Sequence, residues 1–504
     1  MFREKLEKNI QSGIAGENGI SDEMFEVKYR HLPRLFSIYD DFFKNHPALP
    51  SIPCFIYSCG NSVPEAVLLL WLLSRKKDFL LLPRFGKIQL WPEEGIFPEF
   101  CTHLLNIDHF IQGMNLEEPY RYIYMEPNPG YKENSEREPL TGVGNIFLKT
   151  SGSTADPKLV MHSNPGLFGN IWAAVQRLGL TSQDRVMIPV PLYHMYGLGA
   201  GFLPSAAAGA SIHIIEHTNV IKYADHERKY KPSVSFMTPI LCDMILKTRK
   251  TPYEYRLIVS AGDRIGKKLF EEFDYKFGKL VNLYGSTELG VIATSRQEDS
   301  REVRSDGIIE PLNGVRIRLK SIPAASENDF TNDEEEMKPE ILCRHNYGLI
   351  SYLDRTGEKI NTFITLEETG DMNPWFPTKD MGRWIDADET IFKVIGRTGN
   401  SMNRNGILVA FSEVESVMEH QIPELQSVVV VAREEEDMRG KKMVACCQLK
   451  PGSNITGKDI RSKCFDIMQR YVVPDVILVL NELPKLPNGK HDRKRLEEHV
   501  KYSM

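Results

Sequence analysis

No apolar stretch in this chain approaches the length of a membrane span. The longest, AVLLLWLL from Ala66 to Leu73, falls well short of the ~20 residues a spanning helix needs, and it runs into SRKKD, which closes a buried helix. Strong charge is lacking too. A formal net charge of −6 over 504 residues gives no electrostatic reason to expect nucleic acid as a partner. Cysteine is sparse: eight residues in a chain of this size make no disulfide framework. Cys446 and Cys447 are adjacent and Cys54 and Cys59 have no matching second pair, so no zinc pattern arises and reduced thiols are expected. The opening MFREKLEKN is charged and lacks the apolar region of a secretory signal. No repeat with a period of about 20 to 50 residues is visible. Together these absences lead us to expect a cytoplasmic protein with reduced cysteines, no membrane span and no nucleic-acid partner.

What is present suits a large folded body. Hydrophobic residues make up 41% and charged residues 26%, enough for an extensive core. Short apolar strands alternate with helical patterns: Ile52 to Tyr57, then a buried helix from Val63 to Leu73, then Phe79 to Leu82. This β-α-β rhythm implies parallel pairing, because parallel neighbours need a crossover. It repeats in RVMIP (185–189), a small-residue helix AGFLPSAAAGA (200–210) and SIHII (211–215). Leu257 to Ser260 and Leu280 to Leu283 are further buried strands, each running into a glycine-containing turn. Ligands in such sheets sit beyond the carboxyl ends of the strands, where SAGD (260–263) and YGSTE (284–288) lie. The acidic stretch from Ser326 to Glu340 reads as a solvated loop. Near Arg397 to Gly399 the pattern turns polar and glycine-rich, which predicts a boundary between a domain of residues 1–396 and one of 397–504. Beyond it come a helix (SEVESVMEH), strands SVVVVAR and MVACCQL, a helix around Asp459 to Gln469 and a strand VILVL, the order of a compact α+β unit of about 100 residues.

The segment TSGSTADPKLV (150–160) has the composition of a phosphate-holding loop without P-loop spacing. Its amides, hydroxyls and Lys158 can converge on one polyanion, and Gly152 permits close backbone approach. Read alone, it is equally a surface turn. Four further stretches follow in order: PLYHMYG (191–197), LYGSTELG (283–290), WFPTKDMGRW with GRTGNSMNRNG (375–406) and LPKLPNGKHDRKRL (483–496). In these five motifs, from about residue 50 to the C-terminus, the sequence resembles the adenylate-forming superfamily of acyl- and aryl-CoA synthetases, peptide-synthetase adenylation domains and luciferase-like enzymes. The resemblance implies an α/β fold, with a large N-terminal domain of stacked α/β subdomains and a small mobile C-terminal α+β domain.

It also implies roles, position by position. Thr150, Ser151, Gly152, Ser153, Thr154 and Lys158 form the loop over the β- and γ-phosphates of ATP. Ala261, Gly262 and the run Asn282, Leu283, Tyr284, Gly285 and Ser286 form the adenine side, with Tyr284 and Gly285 as the stacking turn. Thr287 holds the α-phosphate, Glu288 takes Mg²⁺, and Asp380 and Arg397 bind the ribose. Lys490 bridges the attacking carboxylate and the nucleotide, and its withdrawal opens the site for a second step. The implied reaction activates a carboxylic acid to an acyl-AMP, releases pyrophosphate, and passes the acyl group to a phosphopantetheine thiol of CoA or a carrier protein.

The acid is expected beside His194, Met237, Thr238, Ser260, Ala261, Gly262 and Val291. PLYHMYGL lacks the phenylalanine–aspartate pair with which amino-acid-activating members meet an α-ammonium, so an acyl or aryl acid is favoured over an amino acid. Leu408, where arginine is frequent in the family, inclines the acceptor towards a carrier protein. The sequence also departs from the family pattern. Ala155 and Leu159 replace two loop glycines, Lys379 replaces the glycine before the ribose-binding acid, and Gly399 stands where an acidic hinge residue is common. Asn403 follows the CoA-synthetase form of its segment. These departures keep open a second class: a weakened homologue that binds nucleotide or a carrier partner without efficient turnover.

Overall fold

The computed structural model describes residues 17–46, 49, 53–84, 97–108, 114–133, 143–149, 158–263, 265–320, 339–366, 371–397, 401–404, 407–434, 441–484 and 491–502. Thr150, Ser151, Gly152, Ser153, Thr154, Ala155, Gly399 and Lys490 lie outside the described residues, as does most of the acidic stretch. Of Arg397, Asn403 and Leu408 only the backbone is described. The described residues form two compact units: a larger one up to residue 397 without 262–269, and a smaller one from 401 onward together with 262–269.

In the larger unit, strand Cys54–Cys59, helix Val63–Ser74 and strand Asp78–Pro83 form the predicted β-α-β, with the strands parallel from Cys54↔Asp78 to Cys59↔Pro83. The helix is apolar on every side and is buried along almost its whole length, as such a helix must be. His103–Ile107 and Asn145–Lys149 flank these strands in parallel. Leu159–Ser163 then pairs antiparallel with Asn145–Lys149 and carries Ser351–Leu353 on its other edge.

A second sheet has a parallel centre, in the order Ser211–Ile214, Arg185–Ile188, Val234–Met237, Tyr255–Ser260 and Gly278–Ser286. Helices Val220–Tyr230, Pro239–Thr248 and Lys267–Phe277 make the crossovers. Beyond Gly278–Ser286 the sheet turns antiparallel through Gly290–Thr294, Ile308–Pro311, Phe392–Arg397, Asp371–Trp384, Glu340–His345 and Val315–Lys320. Helix Asn164–Leu178 shares a core with both sheets. Ser163 Oγ caps its start by accepting the Gly166 N–H, and Gly179, left-handed at φ 56°, ends it.

One element differs from expectation. The small-residue segment expected as one helix is wound in two ways: a π-helix over Tyr196–Phe202 and an α-helix over Leu203–Ala207. Pro204 has no N–H to offer the carbonyl at 200, so the regular ladder cannot run through it and the preceding turn widens. A Cβ on Gly197 would collide with the Pro191 carbonyl, which is why glycine enters this turn.

In the smaller unit, Leu425–Glu434 and Lys441–Leu449 pair antiparallel, and Val476–Leu480 adds in parallel. Alternation gives this sheet two cores. Val428, Val430, Met443, Ala445 and Cys447 pack with helix residues Val414 and Met418 of Phe411–Gln421 and Ile460 of Gly457–Ile467. Val429, Val431, Val444 and Cys446 pack with Leu496 and Val500 of helix Arg493–Tyr502. The basic segment after Lys490 is thus a packed helix and not a solvated tail.

Candidate active site

The turn 284–288 sits where the large sheet changes from parallel to antiparallel, at the carboxyl end of Gly278–Ser286. Gly285 is required there, because a Cβ would collide with the Gly290 carbonyl across the hairpin. Gly290 itself is left-handed at φ 66°. Tyr284 donates its hydroxyl to Asp380 Oδ2 at 2.7 Å, joining the turn expected to stack on adenine to the acid expected to bind ribose over 96 residues of sequence. Burial, and then the Asp380 charge, push the Tyr284 hydroxyl well above its ordinary range, so it remains a donor. Asp380 lies opposite Arg397 in the strand register, and its N–H is held by Thr378 Oγ1 at 3.1 Å. Lys379 adopts φ 61°, the left-handed conformation that glycine reaches most cheaply, and its N–H donates to Glu340 Oε1 at 2.9 Å. The substitution of lysine for glycine therefore keeps a glycine backbone.

Thr287 and Glu288 are gripped from the smaller sheet. The Thr287 carbonyl accepts from His162 Nε2 at 2.8 Å, and the Thr287 hydroxyl has no partner among the described residues. Glu288 Oε1 accepts the Tyr352 hydroxyl at 2.7 Å, and the Lys158 ammonium stands 5.9 Å from the Tyr352 ring centroid. Burial lowers the pKa of His162, so its ring is neutral. Ser286 Oγ accepts the Leu289 N–H at 3.2 Å. Leu283 is buried in the core. Sequence reasoning missed Tyr352 and His162; the only signal for the tyrosine is its pairing strand, since 64 residues separate it from Glu288.

The residues expected around the acid divide. His194 is packed against the Tyr193 ring at 4.5 Å between centroids, and its Nε2 is buried with no hydrogen-bond partner among the described residues. Burial lowers its pKa to about 4, which keeps it neutral at pH 7. Asn61, also missed from sequence, fixes the segment before it: its amide donates to the Val190 and Ile215 carbonyls at 2.8 and 3.1 Å and accepts the Leu192 N–H at 2.8 Å. Tyr196 donates to the carbonyls of Met237 and Val259 at 3.0 and 2.8 Å, tying neighbouring strand ends together. Val291 is held at both its N–H and its carbonyl by the Asn170 amide. Thr238 Oγ1 accepts the Leu241 N–H as a helix cap.

Met237, Ser260 and Asn282 are register partners on neighbouring strands, so their side chains share one face. That face carries helices: Met237 Sδ lies 3.9 Å from Cys242 Sγ, and Asn282 Nδ2 donates to the Arg304 carbonyl at 2.6 Å. Phe236, Val259 and Ala261 turn the other way, into the core shared by both sheets. The side chains of Ser260 and Ala261 therefore face opposite sides of the sheet. Gly262 has φ 90° and groups with the smaller unit. No cluster of three metal-ligating side chains occurs among the described residues.

Comparison with known proteins agrees with this geometry. The AMP-binding enzyme family matches residues 146–329, and the AMP-binding enzyme C-terminal domain matches residues 413–490. Surfactin synthase subunit 1 of Bacillus subtilis is 26% identical over 387 residues, 73% of this chain and 10% of that protein. 4-Coumarate-CoA ligase 1 of Narcissus pseudonarcissus is 26% identical over 364 residues, 70% of this chain and 64% of that protein. The chain thus spans less than two thirds of these curated relatives. Among solved structures, o-succinylbenzoate CoA synthetase from Bacillus subtilis superposes with a TM-score of 0.71 at 19% identity, covering 98% of each chain. With both parts of the family matched in order, the chain belongs to the AMP-binding, adenylate-forming enzymes.

Proposed function

We propose that the protein activates an acyl or aryl carboxylic acid with ATP, forming an acyl-adenylate and pyrophosphate, and transfers the acyl group to a phosphopantetheine thiol. The observation that carries this reading is the 2.7 Å hydrogen bond from Tyr284 to Asp380, which assembles an adenine platform and a ribose-binding carboxylate from distant motifs. The chemistry of the remaining residues is consistent with it. A carboxylate and a triphosphate repel, so attack at the α-phosphorus needs positive charge on both reactants. The Thr287 hydroxyl, without a partner among the described residues, is available to an α-phosphate oxygen. Lys158 supplies charge to the departing phosphates, and Lys490 is proposed to hold the incoming carboxylate. Glu288 suits Mg²⁺, as a hard oxygen donor with one oxygen taken by Tyr352 and the other without a described partner. When bound, Mg²⁺ supplies positive charge to the phosphates. Neutral His194 adds no charge beside the acid.

The relatives named as CoA ligases and synthetases favour CoA as acceptor over the carrier protein suggested by Leu408. The test is exchange of labelled pyrophosphate into ATP across a panel of acids. Acid-dependent exchange is expected, followed by thioester formation on adding CoA. ATP binding without exchange for every acid would overturn the enzyme reading, and thioester formed only on a carrier protein would reassign the acceptor.

A further inference from the structure

The strand that follows the phosphate loop, Leu159–Ser163, and its antiparallel partner Ser351–Leu353 hold the turn 287–288 at three points. From Leu159–Ser163, His162 Nε2 reaches the Thr287 carbonyl at 2.8 Å; a carbonyl only accepts, so this nitrogen carries the proton. Before and within Ser351–Leu353, the Leu349 N–H donates to the Glu288 carbonyl at 2.7 Å and the Tyr352 hydroxyl donates to Glu288 Oε1 at 2.7 Å. The two strands are locked together, with Val160 opposite Tyr352 and Met161 opposite Ser351. Lys158 immediately precedes Leu159–Ser163, its ammonium 5.9 Å from the Tyr352 ring centroid. One tyrosine thus meets two functional groups, a carboxylate through its hydroxyl and an ammonium through its ring.

The geometry points to Tyr352 as a positioning residue that couples the cation-binding carboxylate Glu288 to the phosphate-loop lysine Lys158. This inference rests on the proposed function. A carboxylate rotates easily about its last torsion and can offer either oxygen; a hydrogen bond to Oε1 restricts that freedom and leaves Oε2 as the oxygen that would meet a cation. The ring face meanwhile gives the Lys158 ammonium a preferred position when no phosphate is present. Because Tyr352 lies on the strand paired with the one that Lys158 immediately precedes, with Leu353 opposite Leu159, the positions of both backbones are set by one strand pair.

The substitution Tyr352→Phe keeps the ring and removes only the hydroxyl. ATP binding is measured by calorimetry with Mg²⁺ and with EDTA. In Tyr352→Phe the gain in affinity due to Mg²⁺ should fall about tenfold, while binding in EDTA stays within about twofold. The Mg²⁺ concentration for half-maximal pyrophosphate exchange should rise by a similar factor, with the rate at saturating Mg²⁺ largely restored, a pattern that a merely structural residue would not give. An unchanged Mg²⁺ gain would overturn the role of the hydroxyl. Tyr352→Leu should in addition weaken binding in EDTA; equal EDTA binding by the Phe and Leu variants would overturn the role of the ring. A wild-type protein with neither ATP binding nor exchange would instead remove the proposed function, and this inference with it.

Discussion

The proposed nucleotide side and the proposed acid side of the larger unit treat their polar atoms differently. Around the turn 284–288 most polar groups are held in place, Tyr284 on Asp380, the Thr287 carbonyl on His162 and Glu288 Oε1 on Tyr352, which leaves the Thr287 hydroxyl and Glu288 Oε2 without a described partner. Around His194 the backbone is fixed by Asn61 and Tyr196, yet the imidazole Nε2 is buried without a described partner. The difference fits what each side receives. ATP is the constant reactant, so its site can be preorganised without knowing the acid. An unsatisfied buried nitrogen costs stability in the free protein and is repaid only by a substrate that meets it.

Four substitutions break or sharpen this contrast. Lys490→Ala should cut pyrophosphate exchange by about a thousandfold, as removal of a transition-state charge does, with ATP binding changed no more than a few fold; an unchanged exchange rate would take Lys490 out of its role. Asp380→Ala should weaken ATP binding by about ten- to a hundredfold, and Tyr284→Phe by less, because the first removes a charged acceptor and the second only a hydroxyl. If calorimetry shows neither effect, the nucleotide side is not where we place it. His194→Leu should behave in reverse: melting at pH 7 should be unchanged or raised, since no hydrogen bond is lost, while KM for the acid rises.

Protonation tests the same histidine. Burial holds His194, His213 and His345 at about 4, below the ordinary 6.5. A depressed folded-state value means the unfolded chain takes up the proton first, so their stabilising contribution is present above pH 6.5 and is lost as pH falls towards 4. Melting temperature should drop over that window, and less steeply in His194→Leu; identical slopes would show that His194 is not buried as described. The smallest effect is expected from Lys379→Gly. Relief of the left-handed backbone is offset by the freer unfolded chain, so urea stability should move by less than about 1 kcal/mol. A large fall in ATP affinity would mean that the lysine side chain itself serves the nucleotide.

Legibility in the sequence followed locality. The parallel strands and the buried helix Val63–Ser74 were readable because each is a short apolar run whose period is its own evidence. Five ordered motifs likewise singled out Tyr284 and Asp380, which the fold brings within hydrogen-bond distance. Tyr352, His162 and Asn61 were not readable, because each acts across a gap of 64 to 154 residues closed only by strand pairing or loop packing. The failure at 200–210 was different in kind. Small residues suit any helical winding, and the choice of a π-turn was made by Pro204 and by the space Gly197 leaves for Pro191. Ser260 and Ala261 show a third limit, since adjacency in sequence puts side chains on opposite faces of a strand.

All eight cysteines are buried. The surface is therefore blank to maleimide dyes, and a cysteine introduced at an exposed position in each of the two units would be the preferred attachment point there. Such a doubly labelled protein would act as an optical ruler on the native background. It could report whether the separation between the units changes as ATP, acid and thiol are added in turn, without first replacing any native residue.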